Sequence, residues 1–211
     1  MCAQGTKKRV AVILAVLAVT FTALTAVEAA EEVDYNIKAR AVSLTSISRA
    51  AADLVDIRIT RFTPDTERNA LVKTLVSEGN HALAAALGEQ DEAGWVGFDP
   101  RGGGGPGRDP RKRPLRYARE IVDGDTREVI LITNEYVGYG SRGQAADGAK
   151  LAQDPISFVL LKFQKGDDGE WKKGIGRMFV GAKIRFDSAG GKFVIDEFPT
   201  DPVYLKDVTL K

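Results

Sequence analysis

The stretch LRYAREIVDGDTREVILIT (residues 115–133) decides the fold that the sequence predicts. Its two halves, 115–122 and 127–133, contain many of the residue types that favour strands, and Asp123-Gly124 lies between them. An Asp-Gly pair between two strand patterns is a strong signal for a tight β-hairpin turn. The run Val-Ile-Leu-Ile at 129–132 is apolar on both faces, which predicts a strand in the interior of a sheet.

Further strand patterns lie on both sides of this hairpin. Residues 35–41 and 55–60 alternate between apolar and polar positions, as strands do when one face is buried, and residues 156–163 are apolar on both faces. Alternate apolar positions that predict one buried face continue through Met178, Val180, Ala182, Ile184 and Phe186. The last strand is predicted over 203–210, where the alternation is disturbed near Lys206-Asp207 and indicates a β-bulge.

One region has a helical pattern. Thr63-Pro64-Asp65 is typical of a helix start, with Thr63 as the cap, and an apolar stripe follows that includes Leu71 and Leu75. Gly79 is predicted to end this helix, Asn80 to cap a second one, and Gly88 to end that one. We therefore expect a short helical hairpin, inserted after the second strand.

Together these patterns predict an α+β fold that is mainly an antiparallel β meander, either a curved sheet or a partly closed barrel. We expect one domain over residues 30–211. Two stretches rich in glycine or proline, 99–114 and 136–154, predict mobile loops on this scaffold.

The first 29 residues have the features of a secretory signal peptide. Lys7, Lys8 and Arg9 form a basic region, an apolar run follows over 10–26, and cleavage is expected after Ala29. We therefore expect residues 1–29 to be removed and the mature protein to be secreted or periplasmic and not membrane-spanning. A retained anchor is the alternative, although the apolar run is short for a span, which needs about 20 residues.

The composition excludes several kinds of chemistry. The 211 residues contain one Cys and one His, and the formal net charge is +1. Cys2 lies in the predicted signal peptide, so thiol chemistry is excluded from the mature chain. The only histidine is His81, whereas zinc sites usually need several Cys or His ligands. We predict no catalytic residue, no metal site and no cofactor, and we do not expect nucleic acid as a partner.

The candidate binding residues lie in or beside the two predicted loops. Residues 101–119 contain seven basic side chains and one acidic residue, Asp109, and such a segment can attract an anionic ligand. A solvated basic loop, balanced by acids elsewhere in the fold, is the alternative. The predicted ligand contacts are Arg111, Lys112, Arg113, Arg116 and Arg119 in the first segment and Tyr136, Tyr139 and Arg142 in the second.

Several segments resemble a group of secreted bacterial proteins that has no assigned activity. The segments that carry the resemblance are residues 51–59, the helix with Leu71, Leu75, Gly79 and Leu83, Tyr117-Ala118-Arg119, and residues 127–133 and 202–208. These motifs are mostly structural. The resemblance transfers no functional residue.

From these features we expect an exported, non-enzymatic binding or interaction domain. The more specific form of this expectation is that the ligand is anionic. Its partner would be an anionic polysaccharide, a lipid headgroup or an envelope protein. One alternative is a metal-independent hydrolase that uses carboxylates, although nothing in the sequence selects a pair. Another is a structural component of the cell envelope, which predicts a large exposed apolar patch or self-association.

Overall fold

The computed structural model describes residues 31–42, 53–99, 111–137, 155–199 and 201–210. The predicted signal peptide and most of the two predicted loops lie outside these residues. In chain order the elements are β1 (Glu32–Val42), β2 (Asp53–Arg61), α1 (Asp65–Gly88), β3 (Gly94–Asp99), β4 (Arg111–Leu115), β5 (Tyr117–Asp123), β6 (Thr126–Thr133), β7 (Ser157–Gln164), β8 (Gly174–Val180), β9 (Lys183–Asp187), β10 (Lys192–Glu197) and β11 (Val203–Leu210).

Nine of the strands form one antiparallel sheet that is nearly closed. Its strand order is β4-β3-β2-β1-β11-β8-β7-β6-β5, while β9 and β10 form a separate two-stranded hairpin. The two edge strands, β4 and β5, are consecutive in the chain with only Arg116 between them. The sheet therefore curves until its first and last strands meet at one corner, which confirms a curved antiparallel sheet.

Apolar side chains fill the interior of this curved sheet. Alternate residues of its strands, among them Ile37, Ile57 and Leu161, are buried in one cluster. Glycine at 176 leaves the space that this packing requires, since a Cβ there would lie 2.6 Å from Leu161 Cδ2. Burial of each large side chain contributes about 1.5–3 kcal/mol to folding, so this interior is the main stabilising core.

A second apolar layer covers part of the outer face of the sheet. The helix α1 and the β9–β10 hairpin pack against β5, β6, β7 and β8, and the buried cluster includes Leu83, Ile130 and Phe158. The Phe193 ring meets the Tyr117 ring edge-on, with 5.2 Å between the centroids. This layer places strand β10 above the outer face of the sheet.

The start of the helix differs from the prediction. The helix begins at Asp65, and Pro64 precedes it without a side-chain cap. The prediction that Thr63 caps the helix is wrong, because its hydroxyl accepts a hydrogen bond from the Ala118 N–H at 3.0 Å. A second backbone bond, from Thr63 N–H to Ala118 C=O at 2.8 Å, fixes this residue to β5 instead.

The middle of α1 also differs from the prediction of two separate helices. Residue Gly79 has non-helical angles (φ 86°, ψ −171°) inside an otherwise continuous helical element, and the predicted hairpin of two helices is not confirmed. The Asn80 side-chain amide donates to Ile184 C=O at 3.1 Å and accepts from Ile184 N–H at 2.8 Å. Asn80 therefore attaches the helix to β9. No helix among the described residues has the length and apolar character to cross a bilayer.

Two predicted boundaries in the β regions need correction. The loop predicted over 99–114 is shorter, because Asp99 belongs to β3 and residues 111–114 belong to β4, which pairs with β3. The single apolar face predicted from Met178 to Phe186 is wrong, because the chain turns at Gly181 (φ 67°) between β8 and β9. Met178 consequently packs in the interior core, and Ile184 packs in the outer layer.

The bulge predicted near Lys206-Asp207 is confirmed. Asp207 has a φ of 53°, and the pairing of β11 shifts register between Leu205 and Val208. The extra residue restores the alternation, so that Leu205 and Val208 both face the interior core. The outward side chain before the bulge is Lys206, which is exposed.

Candidate functional site

A groove with a volume of about 690 Å³ lies on the outer face of the sheet. Strands β6, β7, β8 and β11 contribute its floor, and residues 192–195 of β10 form one wall. The outer layer leaves part of β8 and β11 uncovered, since Ile175, Arg177 and Lys206 are exposed. The groove is therefore the part of the outer face that remains open beside β10.

The strand register arranges the floor in three rows that cross the strands. The first row contains Glu128, Lys162 and Ile175, the second contains Ile130, Leu160, Arg177 and Tyr204, and the third contains Phe158 and Phe179. Neighbouring rows are two residues apart along a strand, which corresponds to about 6–7 Å. The groove thus changes from charged at the first row to apolar at the third.

A carboxylate and two ammonium groups close the charged end. Glu128 accepts hydrogen bonds from Lys162 at 2.6 Å and from Lys192 of β10. Burial raises the pKa of Glu128, but the two lysines together outweigh this effect and hold the pKa below its ordinary value. The carboxylate is therefore ionised at neutral pH and attaches the β9–β10 hairpin to the sheet.

Two further cations border the groove on the side of β11. The Arg177 guanidinium lies over the Tyr204 ring, 5.7 Å from its centroid. Because of the bulge, Lys206 and Asp207 together oppose Ile175, and the exposed Lys206 side chain also lines the groove. Among the described residues, neither Arg177 nor Lys206 has an ion-pair partner.

Two large apolar side chains in or beside the groove are open to solvent. Ile175 is 66% exposed, which is unusual for a large aliphatic residue within a strand. Phe198 is 47% exposed and packs on Phe179 with 5.2 Å between the ring centroids. Apolar surface that lies in a concave site can bind an apolar group by the same hydrophobic effect that forms the core.

A smaller hollow of about 300 Å³ lies at the start of α1 and is lined by Glu31, Asp65, Glu120 and Arg119. The hydrogen bond from Arg119 is the largest influence on Asp65 and lowers its pKa, although burial opposes it. A carboxyl group that acts as a general acid needs a raised pKa, whereas the pKa of Asp65 is shifted in the opposite direction. Among the described residues, no group of three or more His, Cys, Asp or Glu side chains could hold a metal ion.

The structure places the predicted basic residues where the two edge strands β4 and β5 meet and gives most of them partners. Arg113 donates to Glu135 at 2.7 Å, and Arg119 donates to Asp65 at 2.6 Å. Arg116 donates to the Gln90 carbonyl at 2.9 Å, and the Lys112 ammonium lies 4.2 Å from the centroid of Trp95. Arg111 lies in β4 opposite Phe98.

The other predicted residues are not brought to this edge as a group. Tyr136 is half-buried directly after β6, while Tyr139 and Arg142 lie outside the described residues. Arg113 and Arg119 are therefore neutralised by carboxylates within the fold, and Lys112, Arg113, Arg116 and Arg119 do not line the groove.

The groove residues were missed because their signal is distributed over distant strands. Apolar and cationic residues alternate on the outer face at Leu160 and Lys162, at Ile175 and Arg177, and at Tyr204 and Lys206. Each pair alone is typical of an exposed strand, and only the register shows that they are neighbours. No protein-family model, curated protein or solved structure matches the chain.

Proposed function

We propose that this chain is an exported, non-enzymatic binding domain whose ligand occupies the outer groove. The groove volume of about 690 Å³ carries the proposal, since it lies within the usual range of small-molecule sites, roughly 300–1,000 Å³. Export is supported by the signal-peptide features of residues 1–29. The filled interior of the sheet favours the outer face as the location.

The chemistry of the floor supports a ligand with a substantial apolar part. Leu160 lies at the centre of the floor between Ile130 and Arg177, and it is only half-buried. Ile175 adds exposed aliphatic surface beside it. An apolar ligand would remove this surface from water, which contributes about 25 cal/mol for each Å² buried.

The basic edge supports an anionic ligand less well than the sequence suggested. An anion there would compete with Glu135 for Arg113 and with Asp65 for Arg119. Binding of an anion would therefore cost existing ion pairs, whereas a ligand in the groove replaces only water. For this reason the groove is the proposed site.

The test uses the neutral apolar dye N-phenyl-1-naphthylamine, whose fluorescence rises when it leaves water. We expect saturable binding to the purified protein, and we expect Leu160→Trp to weaken it at least about tenfold by filling the floor. The matched control is Val76→Trp, because Val76 is 77% exposed on α1 and does not line the groove. This control should bind the dye as the unmodified protein does.

Thermal unfolding of both variants shows whether they remain folded. The proposal requires Leu160→Trp to keep its unfolding midpoint within a few degrees while it loses dye binding. Absence of saturable binding to the unmodified protein, or an equal loss in both variants, would contradict the groove as a binding site.

A further inference from the structure

The charges that line the groove are unbalanced. Lys162, Lys192, Arg177 and Lys206 face one carboxylate, Glu128. The carboxylate is already bound by Lys162 and Lys192. These three groups together keep a charge of +1, and two further positive charges lie on Arg177 and Lys206, on the side of β11, where the groove opens to solvent.

The geometry of Arg177 favours an anionic group rather than a neutral one. Its guanidinium lies over the Tyr204 ring, and a ring contact of this kind leaves the N–H groups at the edge of the guanidinium available. A guanidinium edge matches the oxygens of a carboxylate or phosphate and can bind two of them at once. Lys206 supplies a second cation from the neighbouring strand.

The apolar part of the floor begins directly beside these cations. Ile175, Arg177 and Phe179 follow one another on the outer face of β8. Two residues of a strand extend about 6–7 Å, so Ile175 and Phe179 each lie about that distance from Arg177, on opposite sides of it along β8. Phe198 continues the apolar surface beyond Phe179. A ligand that fits both parts must place a charged group at Arg177 and an apolar chain on the surface beside it.

We infer that the ligand is a single-chain anionic amphiphile, with its headgroup at Arg177 and Lys206 and its chain extended over Leu160 toward Phe179. The inference rests on the proposed function and specifies its ligand class. The headgroup is a carboxylate, sulfate or phosphate, which share the oxygens that Arg177 binds. The ligand binds as a free molecule, with its chain on the floor beside β10, which forms one wall of the groove.

Glu128 weakens the attraction of its own end of the groove for an anionic headgroup. Its ionised carboxylate lies at the end of the floor opposite β11, next to Lys162 on one side and Lys192 on the other. The carboxylate offsets one of the two ammonium charges, so these three groups together carry +1, whereas Arg177 and Lys206 together carry +2. The larger positive charge therefore favours a headgroup on the side of Arg177 and Lys206.

The test measures displacement of the bound dye by three molecules that share one chain and differ in headgroup. These are dodecyl phosphate, dodecanol and dodecyltrimethylammonium, each used below its micellar concentration. We expect dodecyl phosphate to displace the dye at a concentration about tenfold lower than the other two. High salt should reduce this preference.

Three variants locate the headgroup. The double variant Arg177→Gln with Lys206→Gln should lose the preference for phosphate and keep its affinity for dodecanol. Glu128→Gln should increase the preference, because it removes the negative charge that offsets Lys162 and Lys192. The matched control Lys38→Gln removes an exposed cation from the outer face of β1, outside the groove, and should leave the preference unchanged.

Several results would overturn the inference. Equal displacement by the three headgroups would do so, as would a phosphate preference that survives in the double variant. Displacement by an extended peptide but by none of the three amphiphiles would identify a peptide ligand instead. Sedimentation with phosphatidylglycerol vesicles, without displacement by dodecyl phosphate, would show that the protein binds an intact bilayer.

Failure of the inference differs from failure of the proposed function. If the dye binds, and Leu160→Trp prevents this, while headgroup charge has no effect, the groove is a binding site but the ligand is not an anionic amphiphile. If the dye does not bind, both proposals fail. The unfolding midpoint of each variant confirms that the comparison concerns folded protein.

Discussion

Two parts of the same sheet differ in the polarity of their outer faces. On β1 and β2 the outer face is polar, with ion pairs between Lys38 and Asp56 and between Arg58 and Asp34, and it remains exposed. On β6 and β7 the outer face is mostly apolar, and α1 and the β9–β10 hairpin cover Ile130, Ile132 and Phe158. The inner faces of all four strands are alike, so the outer residues alone determine which part of the sheet gains a second layer.

The groove lies where these two faces meet. Strands β8 and β11 have cations and apolar side chains on the same outer face, for example Arg177 beside Ile175. Such a surface is too apolar to be ordinary solvent-exposed sheet and too charged to be covered by a helix. The comparison indicates that a binding site can form at the border of a layer that covers only part of a sheet.

The largest expected effect concerns the covered face. Phe193 of β10 is completely buried against Tyr117 and Phe186, so Phe193→Ala leaves a cavity. We expect the free energy of unfolding in urea to fall by about 3–5 kcal/mol. The matched control, Phe198→Ala, removes a ring that is half exposed and should have a clearly smaller effect. Equal losses in both variants would show that the hairpin does not cover a true core.

A smaller effect is expected at the bridge between the two layers. Glu128→Gln removes the ion pairs to Lys162 and Lys192 and should lower the free energy of unfolding by about 1–2 kcal/mol at neutral pH. Because its pKa is lowered in the folded state, Glu128 stabilises the protein above the ordinary glutamate pKa and loses this effect as the pH falls. The difference in free energy of unfolding between the unmodified protein and Glu128→Gln should therefore become smaller at acidic pH.

Urea unfolding at neutral and acidic pH measures this difference. Glu197→Gln is the control, since it removes a carboxylate from an exposed ion pair with Lys183 at the far end of the hairpin. A difference for Glu128→Gln that stays constant with pH would mean that the bridge does not depend on the ionised carboxylate.

The smallest effect is expected on the exposed face. Arg58→Ala removes the ion pair to Asp34, whose two side chains are 45% and 63% exposed. Exposed ion pairs contribute about 0.2–1 kcal/mol because water and salt screen them. We expect a loss within this range that diminishes at high salt. A loss as large as that of Phe193→Ala would remove the distinction between the two faces.

The strands were predictable because each has a local pattern. Alternation marked β1 and β2, and the turn at Asp123-Gly124 correctly joined β5 to β6, with Gly124 at a φ of 57°. The bulge near Asp207 was also visible as a break in that alternation. These features depend on residues that are near one another in the chain, so one sequence is sufficient to find them.

Features that depend on distant partners were not predictable. Thr63 has the residue type of a helix cap, but its hydroxyl binds Ala118 of β5. Asn80 likewise binds the backbone of β9 rather than a helix start. The groove depends on the register of β7, β8 and β11, which no local pattern specifies. The candidate site was therefore less predictable than the fold.

The pairing of β1 with β11 has a consequence for the order of folding. Ile37 lies opposite Leu210, so the earliest described strand of the chain joins the sheet beside the last one. The centre of the sheet cannot assemble until the chain has been synthesised as far as β11, and contacts between such distant segments form slowly, on a scale of about milliseconds to seconds. During that interval the strands on each side of this pairing remain unjoined.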